Sequence, residues 1–151
     1  MSTITPHIVV RGAARAAEWY GQAFGAEERG RIPVPGGKFI EIELQLGDST
    51  VMIADEFPEL GVVSPQSLGG TYGALHITTG DVDALWDRAI AAGAAVFQPL
   101  QDMFWGDRHG QVTDPFGHRW GMSQHVRDVP RDEIVRAAAE LFGGETVRPE
   151  G

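Results

Sequence analysis

Four aromatic side chains, Phe104, Trp105, Phe116 and Trp120, crowd one short stretch around the tetrapeptide Asp114-Pro115-Phe116-Gly117. Flat apolar walls carrying a few placed polar groups are what a pocket needs to stack an organic molecule. Trp105 therefore belongs either to a pocket rim or to plain core. Phe104 precedes it, and Asp107 and Arg108 follow two and three residues on, where they form an ion pair with each other or touch a ligand. The chain has no cysteine, which removes disulfides, thiolate nucleophiles and cysteine metal sites. A metal would have to use His, Asp, Glu or Gln. Five histidines are present. His109 and His118 flank the last turn and are expected to be exposed, while His125 ends the final strand and nothing singles it out.

Other chemistries lack their residues. There is no glycine-rich phosphate loop of P-loop form, no Gly-x-Ser-x-Gly elbow and no His-Glu-x-x-His. Ser64 and Ser67 lie in a loop with no base evident beside them. A net charge of −9 excludes the basic footprint that nucleic acid requires, and it favours cationic ligands beyond its plain use in solubility. No apolar run approaches the ~20 residues of a membrane helix, and Thr5-Pro6-His7 stands where a signal peptide would be apolar. The expected location is therefore cytoplasmic.

The elements that must position these residues follow from periodicity. Residues 4–10 read as a buried strand ended by Arg11-Gly12, and Ala13, Ala16, Tyr20 and Phe24 share one face of a helix over 13–24 capped by Gly25. Past the turn Pro33-Val34-Pro35-Gly36-Gly37, residues 39–46 alternate between Phe39, Glu41, Glu43, Gln45 and Ile40, Ile42, Leu44, Leu46, as a half-buried strand does. Gly47-Asp48 turns into a further strand over 50–54. After a loop rich in Gly, Pro and Ser the order repeats: a strand over 74–79, an Asp81-capped helix through Ala92 with Val82, Leu85, Ala89 and Ile90 inward, a strand over 95–99, then the hairpin around Asp114-Pro115-Phe116-Gly117. Trp19 and Trp86 sit in the two helices and are expected to pack on the sheets. Asp128-Val129-Pro130 opens a last helix with Ile134, Val135, Ala138, Leu141 and Phe142 on one face, which must dock on its own sheet or on a partner, and 143–151 is expected to fray.

This pattern predicts an α+β fold of two βαβββ modules plus a C-terminal helix. The boundaries are a first module over 1–56, a connector over 57–73, a second module over 74–126 and a helix and tail over 127–151.

Thr5-Pro6-His7, Trp19-Tyr20, the run from Val51 to Glu56, Ala91-Ala92-Gly93-Ala94, and above all Trp105-Gly106-Asp107-Arg108 with Asp114-Pro115-Phe116-Gly117-His118-Arg119-Trp120, together resemble the vicinal oxygen chelate superfamily. Within its glyoxalase, bleomycin-resistance and dioxygenase group the resemblance is to the PhnB-like branch, and it covers nearly the whole chain. It implies two modules curled around a shared pocket, often completed in a homodimer. In metal-dependent members it also implies four ligands from the first and last strands of each module. Registered on the helices and the turn, three of those positions fall on Thr5, Ala74 and Gly121, none of which offers an imidazole or carboxylate. His7 and His76 each lie two residues past the aligned position, and Asp55 and Glu56 end the fourth strand. The resemblance so read implies a metal-free protein that binds a small organic molecule, aromatic or cationic, as bleomycin-resistance proteins sequester a drug. His7, Glu56, His76, Phe104, Trp105 and Arg108 are the candidate ligand contacts. The alternative is a divalent-metal lyase, isomerase or dioxygenase holding its ion with His7, His76 and Glu56. No cofactor, nucleic acid or membrane is expected.

Overall fold

The computed structural model describes residues 1–143. The first module runs β1 (His7–Val10), α1 (Ala13–Phe24), β2 (Glu27–Val34), β3 (Lys38–Leu46) and β4 (Ser49–Asp55). Its sheet has the order β1-β4-β3-β2, with β1 parallel to β4 and the other pairs antiparallel. A single 3-10 turn (Pro58–Leu60) and a short helix α2 (Pro65–Leu68) form the connector. The second module repeats the plan with β5 (Ala74–Thr78), α3 (Val82–Ala92), β6 (Ala95–Asp102), β7 (Asp107–Thr113) and β8 (Arg119–His125), in the order β5-β8-β7-β6. The last element is α4 (Arg131–Phe142). The α+β fold of two βαβββ modules with a C-terminal helix is thus the observed one. The strand β2 has no alternating pattern, and its residues are exposed up to Val34, so periodicity alone did not mark it out.

Both long helices of the modules end where glycine allows the chain to turn. Gly25 closes α1 in the left-handed region (φ 74°) with its N–H on Gly21 O, and the Asp81 side chain accepts from Ala84 N at 3.1 Å to start α3. The apolar stripe of α1 covers Ile42, Leu44 and Ile53 of its own sheet, and it also reaches the second one. Tyr20 and Trp120 have ring centroids 5.4 Å apart, Trp19 meets Phe116 edge-on at 6.4 Å, and Trp19 Nε1 donates to Ala92 O at 2.8 Å. Trp86 lies over Gly110, where a Cβ would sit 2.6 Å from its ring. One core therefore serves both modules, and α1 and α3 leave the opposite face of each sheet uncovered by either of them.

The turn at Asp114 does more than its local chemistry demands. Its Oδ1 accepts from Phe116 N (2.8 Å) and His118 N (3.0 Å), as an Asx turn does, while Oδ2 accepts from Tyr20 Oη (2.5 Å) and Trp120 Nε1 (2.8 Å). Phe116 and Trp120 are consequently core residues, at 1% and 3% exposure. α4 does not dock on its own sheets: no residue of it is buried, and Val135, Leu141 and Phe142 are exposed. The expectation of a frayed end over 143–151 falls, apart from Gly143, outside the described residues.

Candidate functional site

The helix-free face of the second sheet is built from three registered rows. Ala74, Arg119 and Thr113 make one, His76, Gly121 and Gln111 the next, and Thr78, Ser123 and His109 the third. His76 Nε2 lies 2.7 Å from Ser123 Oγ, and its ring stacks on His109 with centroids 5.4 Å apart and planes at 16°. Gly121 makes this possible, because a Cβ there would stand 2.6 Å from His76 Nδ1. Trp105 continues the strip at 5.7 Å from His109, and Phe104 meets it edge-on at 5.0 Å. Both sit in the tight connection between β6 and β7, which Gly106 closes with φ 102° and with no room for a side chain beside Arg127 O. Trp105 Nε1 donates to Asp107 Oδ2 at 3.2 Å, and the other oxygen of Asp107 meets His125 Nδ1 at 3.2 Å.

Burial, and then the neighbouring His76, hold the His109 imidazole below its ordinary pKa. At neutral pH it presents an uncharged ring. The strip of phenyl, indole and two imidazoles is therefore apolar on its faces and polar at one edge, where Ser123 lies. His109 is buried and His118 half-buried, with its Nε2 2.8 Å from Val9 O, so neither is exposed as expected. The signal that could have found His109 was its parity with Asp107 and Gln111 on a strand whose other side carries Gly110 and Val112.

The other candidates are distributed elsewhere. Glu56 is held by the connector: Ser67 Oγ donates to its Oε2, Ser64 N donates to the same oxygen at 2.8 Å, and Arg11 Nε donates to Oε1 at 3.0 Å. These bonds lower its carboxyl to about 2, the Ser67 hydroxyl contributing most. Arg108 points to the helix side, where it pairs with Asp83 (3.0 Å) and Asp102 (3.2 Å); Asp107 is not its partner. His7 is exposed on β1 in the row of Met52 and Glu43, and it lines a cleft of 460 Å³ between β1 and β5 together with Val9, Tyr72 and His118. His76 opens instead on a neighbouring groove of 900 Å³, beside Thr5, Thr50 and Trp120. The structure thus brings together His76, Trp105 and Phe104, and it leaves His7, Glu56 and Arg108 apart from them.

The donor set does not fit a divalent ion. Asp55 accepts from Ala13 N (2.8 Å) and Phe39 N (2.7 Å), Glu56 is engaged as above, and His76 occupies the space a ligand at position 121 would need. No group of three His, Asp or Glu side chains converges among the described residues. No helix among the described residues is long and apolar enough to cross a membrane.

Residues 3–122 match the family model described as the glyoxalase/bleomycin resistance protein/dioxygenase superfamily, and the chain belongs to it. It is 47% identical over 144 residues to uncharacterized proteins of Mycobacterium bovis and Mycobacterium tuberculosis, covering 93% of this chain and 95% and 85% of theirs. Among solved structures it is similar to TioX from Micromonospora sp. ML1, with 30% identity, a TM-score of 0.63, and coverage of 83% of this chain and 100% of that one. TnmS3, an antibiotic binding protein from Streptomyces sp. CB03234, shares the fold at 23% identity and a TM-score of 0.64, over 83% of this chain and 97% of its own.

Proposed function

We propose that the protein binds a small, flat organic molecule on the helix-free face of the second sheet, without metal, in the manner of a drug-sequestering protein. The observation that carries this reading is the continuous strip Phe104, Trp105, His109 and His76, in which His76 is exposed and the indole and phenyl are half-buried, while His109 and Ser123 lie buried beneath. A face of this kind stacks an aromatic ligand on the indole and phenyl and offers it the exposed His76 imidazole for orientation. TnmS3 illustrates that the same scaffold accommodates an antibiotic. A PhnB protein from Bacillus cereus has the same fold at 19% identity, and we place the chain in that branch on its Asp114-to-Trp120 signature. We further assign it a homodimeric state and a cytoplasmic location.

A preference for cations is not part of this reading. It followed from the overall charge and from Glu56, and Glu56 is already neutralised by Arg11. Titration of tryptophan fluorescence with planar aromatic compounds tests the binding. Saturable quenching is expected, and Trp105→Ala should weaken it about two- to ten-fold, the worth of one stacked ring at ~0.5–1.5 kcal/mol. Absence of saturable quenching across such compounds, or an affinity indifferent to Trp105→Ala, would overturn the reading.

A further inference from the structure

We infer that the ligand of this face carries an anionic group, a carboxylate or its equivalent, and that Arg119 is its charge partner. The inference rests on the binding reading above and adds the chemical class of the ligand. Arg119 leaves β8 in the row of Ala74 and Thr113, and its side chain crosses the sheet to Phe97 of β6, with Cζ 3.7 Å from the ring centroid. Among the described residues its Nε is buried with no hydrogen-bond partner, and no carboxylate lies within salt-bridge distance of the guanidinium.

Arg15, Lys38, Arg88, Arg127 and Arg131 likewise meet no carboxylate among the described residues, and what sets Arg119 apart is a buried guanidinium nitrogen left without a hydrogen-bond partner there. Arg11, Arg31 and Arg108 each meet a carboxylate at 2.5–3.0 Å. The three rows around Arg119 contain no acid at all: their polar members are Thr113, His76, Gln111, Thr78, Ser123 and His109. Asp107, at the end of the sheet, is spent on Trp105 and His125. A guanidinium partly withdrawn from water, and supported among the described residues by the π-face of Phe97, retains its capacity for a paired interaction with a planar oxyanion. The acid that completes it must come from outside the chain's own sheet.

The geometry also limits ligand size. Successive rows on one face lie two residues apart, and a strand rises ~3.3 Å per residue, so Arg119 is displaced from the His76 row by roughly 7 Å and from the His109 row by roughly 13 Å along the strands. A flat body on the imidazole and indole strip with an acid at one end fits that span.

Three matched probes separate this inference from the binding reading: biphenyl-4-carboxylate, biphenyl-4-methanol and biphenyl-4-methylammonium, each titrated at low salt by tryptophan fluorescence. The carboxylate should bind about ten-fold more tightly than the alcohol, and the ammonium more weakly than either. Arg119→Gln should remove the advantage of the carboxylate while leaving the alcohol unchanged, and Arg119→Lys should keep part of it. If the alcohol binds and the carboxylate binds no better to the unsubstituted protein, or if Arg119→Gln leaves the preference intact, the charge assignment is wrong and the binding reading stands. If none of the three binds, both fall. Should Arg119→Gln fail to fold, the order of the probes on the unsubstituted protein and on Arg119→Lys still decides.

Discussion

Single side chains in this protein carry charges and bonds that only their surroundings explain. Asp114 is 4% exposed, yet it is fully occupied by two amide N–H groups, a phenol and an indole. Burial first, and then the charge of Asp114, raise the Tyr20 phenol well above its ordinary pKa, so it remains a donor throughout the physiological range. Asp114→Ala would leave the Tyr20 hydroxyl and the Trp120 N–H buried without acceptors, at ~1–3 kcal/mol each. Urea unfolding should therefore report a loss of about 2–5 kcal/mol, and a change within 0.5 kcal/mol of zero would refute the account. The histidines give a second readout. His109 is held low by burial and His76, whereas His125 is raised by Asp128 and then Asp107. Proton NMR should show His109 titrating below 6.5 and His125 above it. Linkage gives these shifts opposite signs: the contribution of His109 to stability is present above its unfolded pKa and lost as pH falls through its folded one, and that of His125 is present below its unfolded pKa and lost as pH rises. Coincident midpoints for the two rings would contradict the environments described.

At the scale of elements, the connector is fixed by a latch. Arg11 at the end of β1, Ser64 and Ser67 around α2, and Glu56 after β4 form one hydrogen-bonded group, joined by Lys38, whose Nζ donates to Glu56 O at 2.6 Å. Because Glu56 titrates near 2 in the folded chain and near 4.5 otherwise, its stabilising effect is complete above the higher value and lost as pH falls toward the lower. Glu56→Gln should thus lower the urea midpoint at pH 7, and its deficit should shrink steadily between pH 4.5 and pH 2. A deficit independent of pH would show that the latch is not electrostatic. Most elements were legible beforehand, since the stripe on α1, the alternation on β3 and the turn chemistry at Asp114 are all local. The latch was not: Glu56 reads as a free carboxylate until Ser67, eleven residues later, folds back onto it. Arg108 was opaque for a similar reason, because its partners Asp83 and Asp102 lie on α3 and on the neighbouring strand. Nothing in a one-dimensional pattern records which face of β7 an α3 carboxylate will cover.

For the whole molecule, the two helix-free sheet faces and the apolar side of α4 leave surface that a second copy would cover. Val135, Leu141 and Phe142 are exposed on a helix that makes no dense contact with its own chain. Light scattering should find a dimer at micromolar concentration, and removal of 128–151 should weaken it; a monomer unaffected by that deletion would reject the assignment. The shared core has a consequence of a different kind. Tyr20, Phe24 and Trp19 of one module are sealed by Trp120, Phe116 and Ala92 of the other, so neither half closes its own interior. Substitutions along that seam must suit both halves at once. The outer faces are under less obligation: Glu41 and Glu43 on one, and Gln111 and His76 on the other, lie away from the seam, and the two faces adjoin where His7 and Arg119 line one cleft. A repeated architecture joined this way permits its two faces to diverge separately in evolution, one toward a ligand and the other toward whatever lies across from it, while the seam between them stays fixed.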